Sequence, residues 1–352
     1  MSSQRFVGSV VACVVALSAC STTGAPPPTV AAVLSPLPET RVVDWRPQFR
    51  REFCRALRGD ARFADSSCES YIQRLADESE PTLTNLPSSL SRHEILLIPG
   101  VLAECFTQTV NIFSDSIARM TSMGYEVSTI PVRGRASSTV NAEIIKNFVG
   151  DRSRDAPQKS FILLAYSKGV ADALTALANY PELSRSVAAV VSIAGAVNGS
   201  PLAESLATTY DLVVQNFPFA NCPVEKGALT SLEPRRRLAF VATKTLPADV
   251  AYFSLVGLPD SDRISAALKP FYRKLSHVDP GNDGQLIYYD AVVPRSFLLG
   301  YMNADHWAMA LPFETESVVL GRTLASRNVF PRASMLEAAL RLVETELDRR
   351  GR

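Results

Sequence analysis

Ser167 lies in FILLAYSKGVADAL, residues 161–174, where an apolar run gives way abruptly to apolar positions at helical spacing. Phe161, Ile162, Leu163 and Leu164 suit a buried parallel strand, and Val170, Ala173, Leu174 and Leu177 follow at the period of a helix. The serine therefore falls on a tight strand-to-helix turn, flanked by the small residues Ala165 and Gly169 where backbone segments crowd together. A serine hydroxyl is a poor nucleophile at neutral pH. It attacks a carbonyl only with a base in hydrogen-bond reach, most often a histidine steadied by a carboxylate. The chain holds 3 histidines. His93 precedes the serine, whereas the order that goes with such a turn is serine, acid, histidine. His277 would need a carboxylate between itself and Ser167, such as Asp260 or Asp262. His306 follows the apolar run SFLLGYM in the loop NADHWAMAL, just past a late strand, and is the preferred base. The acid is read as Asp283, because Gly281, Asn282 and Gly284 form a turn able to aim a short carboxylate. Asp279, Asp290 and Asp305 are its competitors.

The elements that must position these residues are legible in outline. Strand-type runs cover 95–98, 127–132, 161–165, 187–193, 251–256 and 297–301, with helical patterns at 107–123, 140–149, 168–179 and 262–275. This alternation argues for an α/β fold, a mostly parallel sheet with helices on both faces, in which reactive groups gather beyond the carboxyl ends of the strands. A last helix over 333–349 turns Leu336, Leu340, Val343 and Leu347 inward.

These stretches resemble the α/β-hydrolase superfamily, and within it the lipase and esterase branch. HEILLIPGVLAECF (93–106) is similar to the strand and oxyanion loop, YSKG to the nucleophile turn, VVSIAGAVNGSPLAE (190–204) to a strand and loop that in lipases often ends P-H-x-G-S-P, and NDG with ADHWAMAL to the acid and histidine loops. Pro99-Gly100 stands where the family has His-Gly, Ala165 replaces the first glycine of the turn, and Ala196-Val197 replaces Pro-His. The resemblance implies oxyanion donors at the backbone N–H groups of Val101 and Lys168, which a side-chain change need not abolish.

Residues 199–247 depart from the alternation and read as a small cap insertion after a central strand. Leu206, Tyr210, Leu212, Val213, Phe217 and Phe219 could line an acyl pocket or fill a core, and Arg235, Arg236 and Arg237 read as a solvated face.

The N-terminus carries an apolar run of 14 residues, Phe6 to Ala19, behind Arg5, too short to span a bilayer and shaped like a signal-peptide core. Leu17-Ser18-Ala19-Cys20 resembles the lipobox of bacterial lipoproteins, which implies acylation of Cys20 and a membrane anchor. Ser21 is not the aspartate linked with inner-membrane retention, so the resemblance leans to an outer membrane where the cell has one. Thus 1–19 reads as a signal peptide, 20–45 as a proline-rich tether, 46–90 as an extension with helices at 47–57 and 67–77, and 91–350 as the α/β-hydrolase domain. Export permits disulfides among Cys54, Cys68, Cys105 and Cys222; proximity favours Cys54 with Cys68, leaving Cys105 to join the oxyanion loop to the cap through Cys222.

A net charge of +1 gives no general attraction to nucleic acid, and there is no phosphate-binding glycine loop, dinucleotide fingerprint, metal-ligand cluster or sign of a cofactor. The expectation is an exported, membrane-anchored serine hydrolase of lipid or acyl esters, with transfer to an alcohol as a close variant. The alternatives are amide hydrolysis by the same residues and a hydrolase-fold lipoprotein that lost its chemistry and serves as an envelope binding module.

Overall fold

The structure, a computed structural model, describes residues 41–78, 93–101, 110–206, 227–327 and 329–352. Eight strands form one sheet: β1 (Val43–Asp44), β2 (Ile72–Gln73), β3 (His93–Ile98), β4 (Glu126–Thr129), β5 (Ser160–Tyr166), β6 (Val187–Ile193), β7 (Ala251–Gly257) and β8 (Phe297–Met302). The order is β1-β8-β7-β6-β5-β3-β4, and every pairing is parallel except that of β2 with β8. The central strands β3, β5, β6 and β7 are buried along their whole length apart from Ser160, as their unbroken apolar sequences require of strands covered on both faces.

Five helices matter for the site: α1 (Arg46–Arg58), α2 (Ser138–Asp155), α3 (Lys168–Asn179), α4 (Pro234–Thr243) and α5 (Arg332–Arg350). Ser137 caps α2 by accepting a hydrogen bond from the Val140 amide, and α5 ends on Gly351 in the left-handed conformation. Leu336, Leu340, Val343 and Leu347 of α5 are buried in the core on one face of the sheet, together with Phe49, Phe53 and Leu57 of α1. On the other face, Ile145 and Val149 of α2 and Val170, Leu174 and Leu177 of α3 pack over β3, β5 and β6.

Several local expectations are corrected. Val43 and Asp44, placed by sequence in the tether, already pair with Phe297 and Leu298 of β8. The helix expected at 67–77 is a single turn, Cys68–Ser70, followed by β2, because Ile72 is taken up by the edge of β8. Of the helix expected over 107–123, the described part from Val110 is helical from Ile117 to Ser122 after a turn at Ser114–Ser116, since buried Phe113 has a left-handed φ of 54° and bonds through its amide to Ala310 O. The 262–275 segment is continuous helix only over Lys269–Leu275, after two short turns. Within the cap, Arg237 is no surface residue: it is 3% exposed and its Nε donates to Val197 O at 2.9 Å. Cys20, Cys105 and Cys222, along with Tyr210, Leu212, Val213, Phe217 and Phe219, lie outside the described residues.

Cys54 on α1 and Cys68 form a disulfide across 14 residues of sequence, as the spacing favours. Closing so short a loop is worth about 3 kcal/mol in the chain-entropy model. The double substitution Cys54→Ser/Cys68→Ser is expected to lower unfolding free energy by about 2–4 kcal/mol, read from urea denaturation; an unchanged midpoint would show that the unfolded chain is not restrained by this bond.

Candidate active site

Strand β5 delivers Ser167 at its carboxyl end, and α3 begins at the next residue. The Ser167 backbone sits at φ 54° and ψ −123°, a region that L-residues occupy only when their surroundings force it. Two constraints do so. The Ser167 amide donates to Ile193 O on β6, and its carbonyl accepts from the Ala196 amide. Just beyond, α3 runs so close to β3 that a Cβ at Gly169 would lie 2.3 Å from Ile98 O and 2.7 Å from Pro99 O. Glycine is therefore the residue that fits there.

The sharp turn aims Ser167 Oγ at His306 Nε2, 2.9 Å away, while His306 Nδ1 lies 2.7 Å from Asp283 Oδ2. All three are buried, Ser167 the least so. Asp283 sits in a tight turn in which its Oδ1 accepts from the amides of Gln285 and Leu286, and Gly284 takes a φ of 89°. That leaves Oδ2 to face the imidazole. The His306 amide also donates to Asp283 O, so the two loops are joined by backbone as well as side chain.

The competing acids are engaged elsewhere. Asp279 accepts from the Gly281 amide. Asp305 is fully buried and accepts from the amides of Ser265 and Ala308; burial raises its pKa, with the Asp283 charge adding to the rise. Asp290 accepts from the Asn198 side chain. Asp260 bonds to Gln73 and Asn303. His277 is exposed on the loop after Lys269–Leu275, and His93, at the opposite end of the sheet, contacts Glu344.

Of the expected oxyanion donors, Lys168 provides the first amide of α3, one of the groups that a helix start leaves without an intrahelical partner. Val101 follows Gly100, whose backbone crosses Ser167 so closely that a Cβ there would lie 3.0 Å from Ser167 Cβ and 3.4 Å from Oγ. The Val101 side chain packs against a buried apolar cluster of Ala171, Ala196, Ala203, Leu232 and Leu286.

The fold that carries this site has counterparts among solved structures. The crystal structure of the metagenomic carboxyl esterase MGS0156 matches 90% of this chain and 98% of its own at 36% identity, with a TM-score of 0.79. The chain belongs to the carboxyl esterases of the α/β-hydrolase fold. The mature form of Bacillus licheniformis lipase BlEst2 shares that fold with the hydrolase at 19% identity and a TM-score of 0.51, over 64% of this chain and 89% of its own. No protein-family model and no curated protein matches.

One neighbour of the histidine was not read from the sequence, and another has a different task from the one weighed for it. Tyr166 donates its hydroxyl to His306 O at 2.9 Å, and burial holds its pKa well above the ordinary phenol value, aided by the charges of Asp283 and Asp305. Asp305 fixes the turn that carries the imidazole. The signal available for Tyr166 was its place directly before the serine, which an apolar strand pattern absorbs without comment.

Asp290 gives this hydrolase a measurable pH signature. Burial pushes its carboxyl up to about 6, opposed by the hydrogen bond from Asn198 and assisted by Asp279. A carboxyl group harder to ionise in the folded chain than in the unfolded one destabilises the fold wherever it is charged. Its cost is therefore fully present above about pH 6 and disappears as pH falls below about 4. Asp290→Asn is expected to be more stable than the parent at pH 8, by about 1–3 kcal/mol, with no difference at pH 3.5 in thermal or urea unfolding. A gain that persisted at pH 3.5 would point to packing instead of charge.

Proposed function

We propose that this α/β-hydrolase is an exported serine esterase acting on lipid or acyl esters through an acyl-enzyme. The observation that carries the reading is the unbroken chain from Ser167 Oγ through His306 to Asp283, with contacts of 2.9 and 2.7 Å, at the end of a strained strand-to-helix turn. In this reading His306 takes the Ser167 proton as Oγ attacks the ester carbonyl, and Asp283 holds the imidazole in the required tautomer and stabilises its cationic form. The amides of Val101 and Lys168 receive the oxyanion. His306 then protonates the departing alcohol, and water activated by the same imidazole releases the acid. An alcohol in place of that water would give transfer, so the acceptor is set by access and not by these residues.

The buried apolar cluster of Ala171, Ala196, Ala203, Leu232 and Leu286, on which Val101 packs, makes the ground under the assigned oxyanion donor apolar, in keeping with an acyl substrate. Export and anchoring rest on Leu17–Cys20 and the apolar run before it, outside the described residues; the Cys54–Cys68 disulfide fits an oxidising compartment. In this reading 1–19 is removed, acylated Cys20 begins the mature chain, and the enzyme works in a bacterial cell envelope. No helix of the described residues is long and apolar enough to cross a membrane.

Ser167→Ala is expected to abolish labelling by a fluorophosphonate probe and to lower hydrolysis of p-nitrophenyl esters by about 10³-fold or more. Folded protein labelled independently of Ser167 would sink the mechanism, and no labelling of the parent would favour a binding module. Faster cleavage of anilides than of the matched esters would overturn the ester assignment. Metabolic labelling with a fatty-acid probe is expected in the parent and absent from Cys20→Ser; label that persists in that variant would defeat the anchor.

A further inference from the structure

Lys168 follows the nucleophile, yet its side chain is fully buried. Its Nζ donates to both oxygens of Asp172, one turn along α3, at 2.9 and 2.8 Å. Asp172, 1% exposed, also accepts from Asn141 Nδ2 of α2 at 2.7 Å. The same Asn141 amide group donates to Arg133 O, while its oxygen accepts from the Arg133 amide, so it clamps the turn at 133–136. That turn reaches the cap: Arg135 O accepts from the Ala228 amide, and the Ser138 amide donates to Ser231 Oγ.

Stability alone is a poor explanation for this arrangement. A cation at the first position of a helix has the wrong sign for the helix dipole. A buried ion pair seldom stabilises a fold more than well-packed apolar side chains of the same volume would. What the pair does achieve is geometric. It pins the first residue of α3, whose amide is the oxyanion donor assigned above, to a second helix and through it to the cap.

We propose that the Lys168–Asp172–Asn141 chain is a positioning device for the oxyanion hole, which sets the orientation of the Lys168 amide and registers it against the cap. This rests on the serine esterase reading. The Lys168 and Asp172 side chains act through the backbone and touch no substrate.

The test is the paired substitution Lys168→Met/Asp172→Leu, which removes both charges at once and leaves neither stranded. Its melting temperature should match or exceed that of the parent. Its kcat on p-nitrophenyl acetate should fall at least tenfold with KM within threefold, and a boronic acid analogue of the tetrahedral intermediate should lose affinity in step with kcat/KM. A folded double variant with kcat within twofold of the parent overturns the proposal. Should that variant fail to fold, Asp172→Asn, which keeps the shape and weakens the hold on Nζ, should lower kcat at least threefold at constant KM; parental kcat there also overturns it. Ser167→Ala assayed alongside separates the two failures. Activity that survives Ser167→Ala defeats the esterase mechanism itself, whereas a dead Ser167→Ala beside a fully active double variant defeats only the positioning role.

Discussion

The left-handed backbone of Ser167 is the constraint around which this molecule is organised. A non-glycine residue in such a conformation costs about 1–3 kcal/mol and persists only where its surroundings over-determine it. Here β5 is hydrogen-bonded to β3 on one side and β6 on the other, Ile193 and Ala196 hold the Ser167 amide and carbonyl, and Gly169 lets α3 start against the carbonyls of Ile98 and Pro99. The strain has a direct geometric return. It sets Oγ within 2.9 Å of His306 Nε2 and lets α3 begin at the very next residue, so the hydroxyl and the first free amides of the helix arise from one backbone event.

The histidine is harder to place than the serine. In the sheet order β8 is separated from β5 by β7 and β6, and at about 4.8 Å per strand this puts its carboxyl end about 14 Å from Ser167. The loop after β8 must therefore fold back across two strand ends, and it is tied down along the way. Asn303 is bonded to Tyr71 O, Ser70 O and Asp260; Asp305 to the amides of Ser265 and Ala308; His306 to Asp283 O and Tyr166 Oη. The N-terminal segment takes part in this support. β1 and β2 cover the edge of β8, and Phe49 of α1 packs so closely on that strand that a Cβ at Gly300 would come within 3.1 Å of its ring. The segment looks peripheral in the chain, but it braces the strand that carries the imidazole and closes an otherwise open sheet edge.

What could be read from the sequence follows from how far each decision depends on neighbours in the chain. The β5–turn–α3 unit is locally determined: a continuous apolar run, small residues at two crowded positions and helical periodicity all agree, and α3 runs over Lys168–Asn179 as its pattern indicates. The pairing of Ser167, His306 and Asp283 was accessible because the order of reactive residues follows from the order of strands. Segments whose shape is set by distant partners were not legible. Phe113 leaves the helical pattern because its ring is taken up beside Tyr166, at 6.5 Å between centroids. Ser265 breaks the 262–275 segment because its amide is drawn to Asp305. Arg237 goes inward because Val197 O and the Phe240 ring receive its guanidinium; burial lowers its pKa to about 10, which still leaves it charged at neutral pH.

The distinction between Asp283 and Asp305 shows why proximity in sequence is a weak guide to chemistry. Asp305 adjoins His306, yet consecutive side chains on a tight loop diverge, and both of its oxygens are consumed by amides that shape the turn. Asp283 is remote in sequence, but its turn saturates Oδ1 with two amides and leaves Oδ2 free to meet Nδ1 in line. In a site this buried, a carboxylate whose second oxygen were not similarly occupied would carry an unmet demand for hydrogen bonds and would rotate to satisfy it. The Gln285 and Leu286 amides therefore do more than shape a loop. By fixing which oxygen faces the imidazole, they fix the tilt of the ring and hence the direction from which Nε2 approaches Ser167, so the placing of the imidazole originates in the tight turn at 283–286 and not in the strands beneath it.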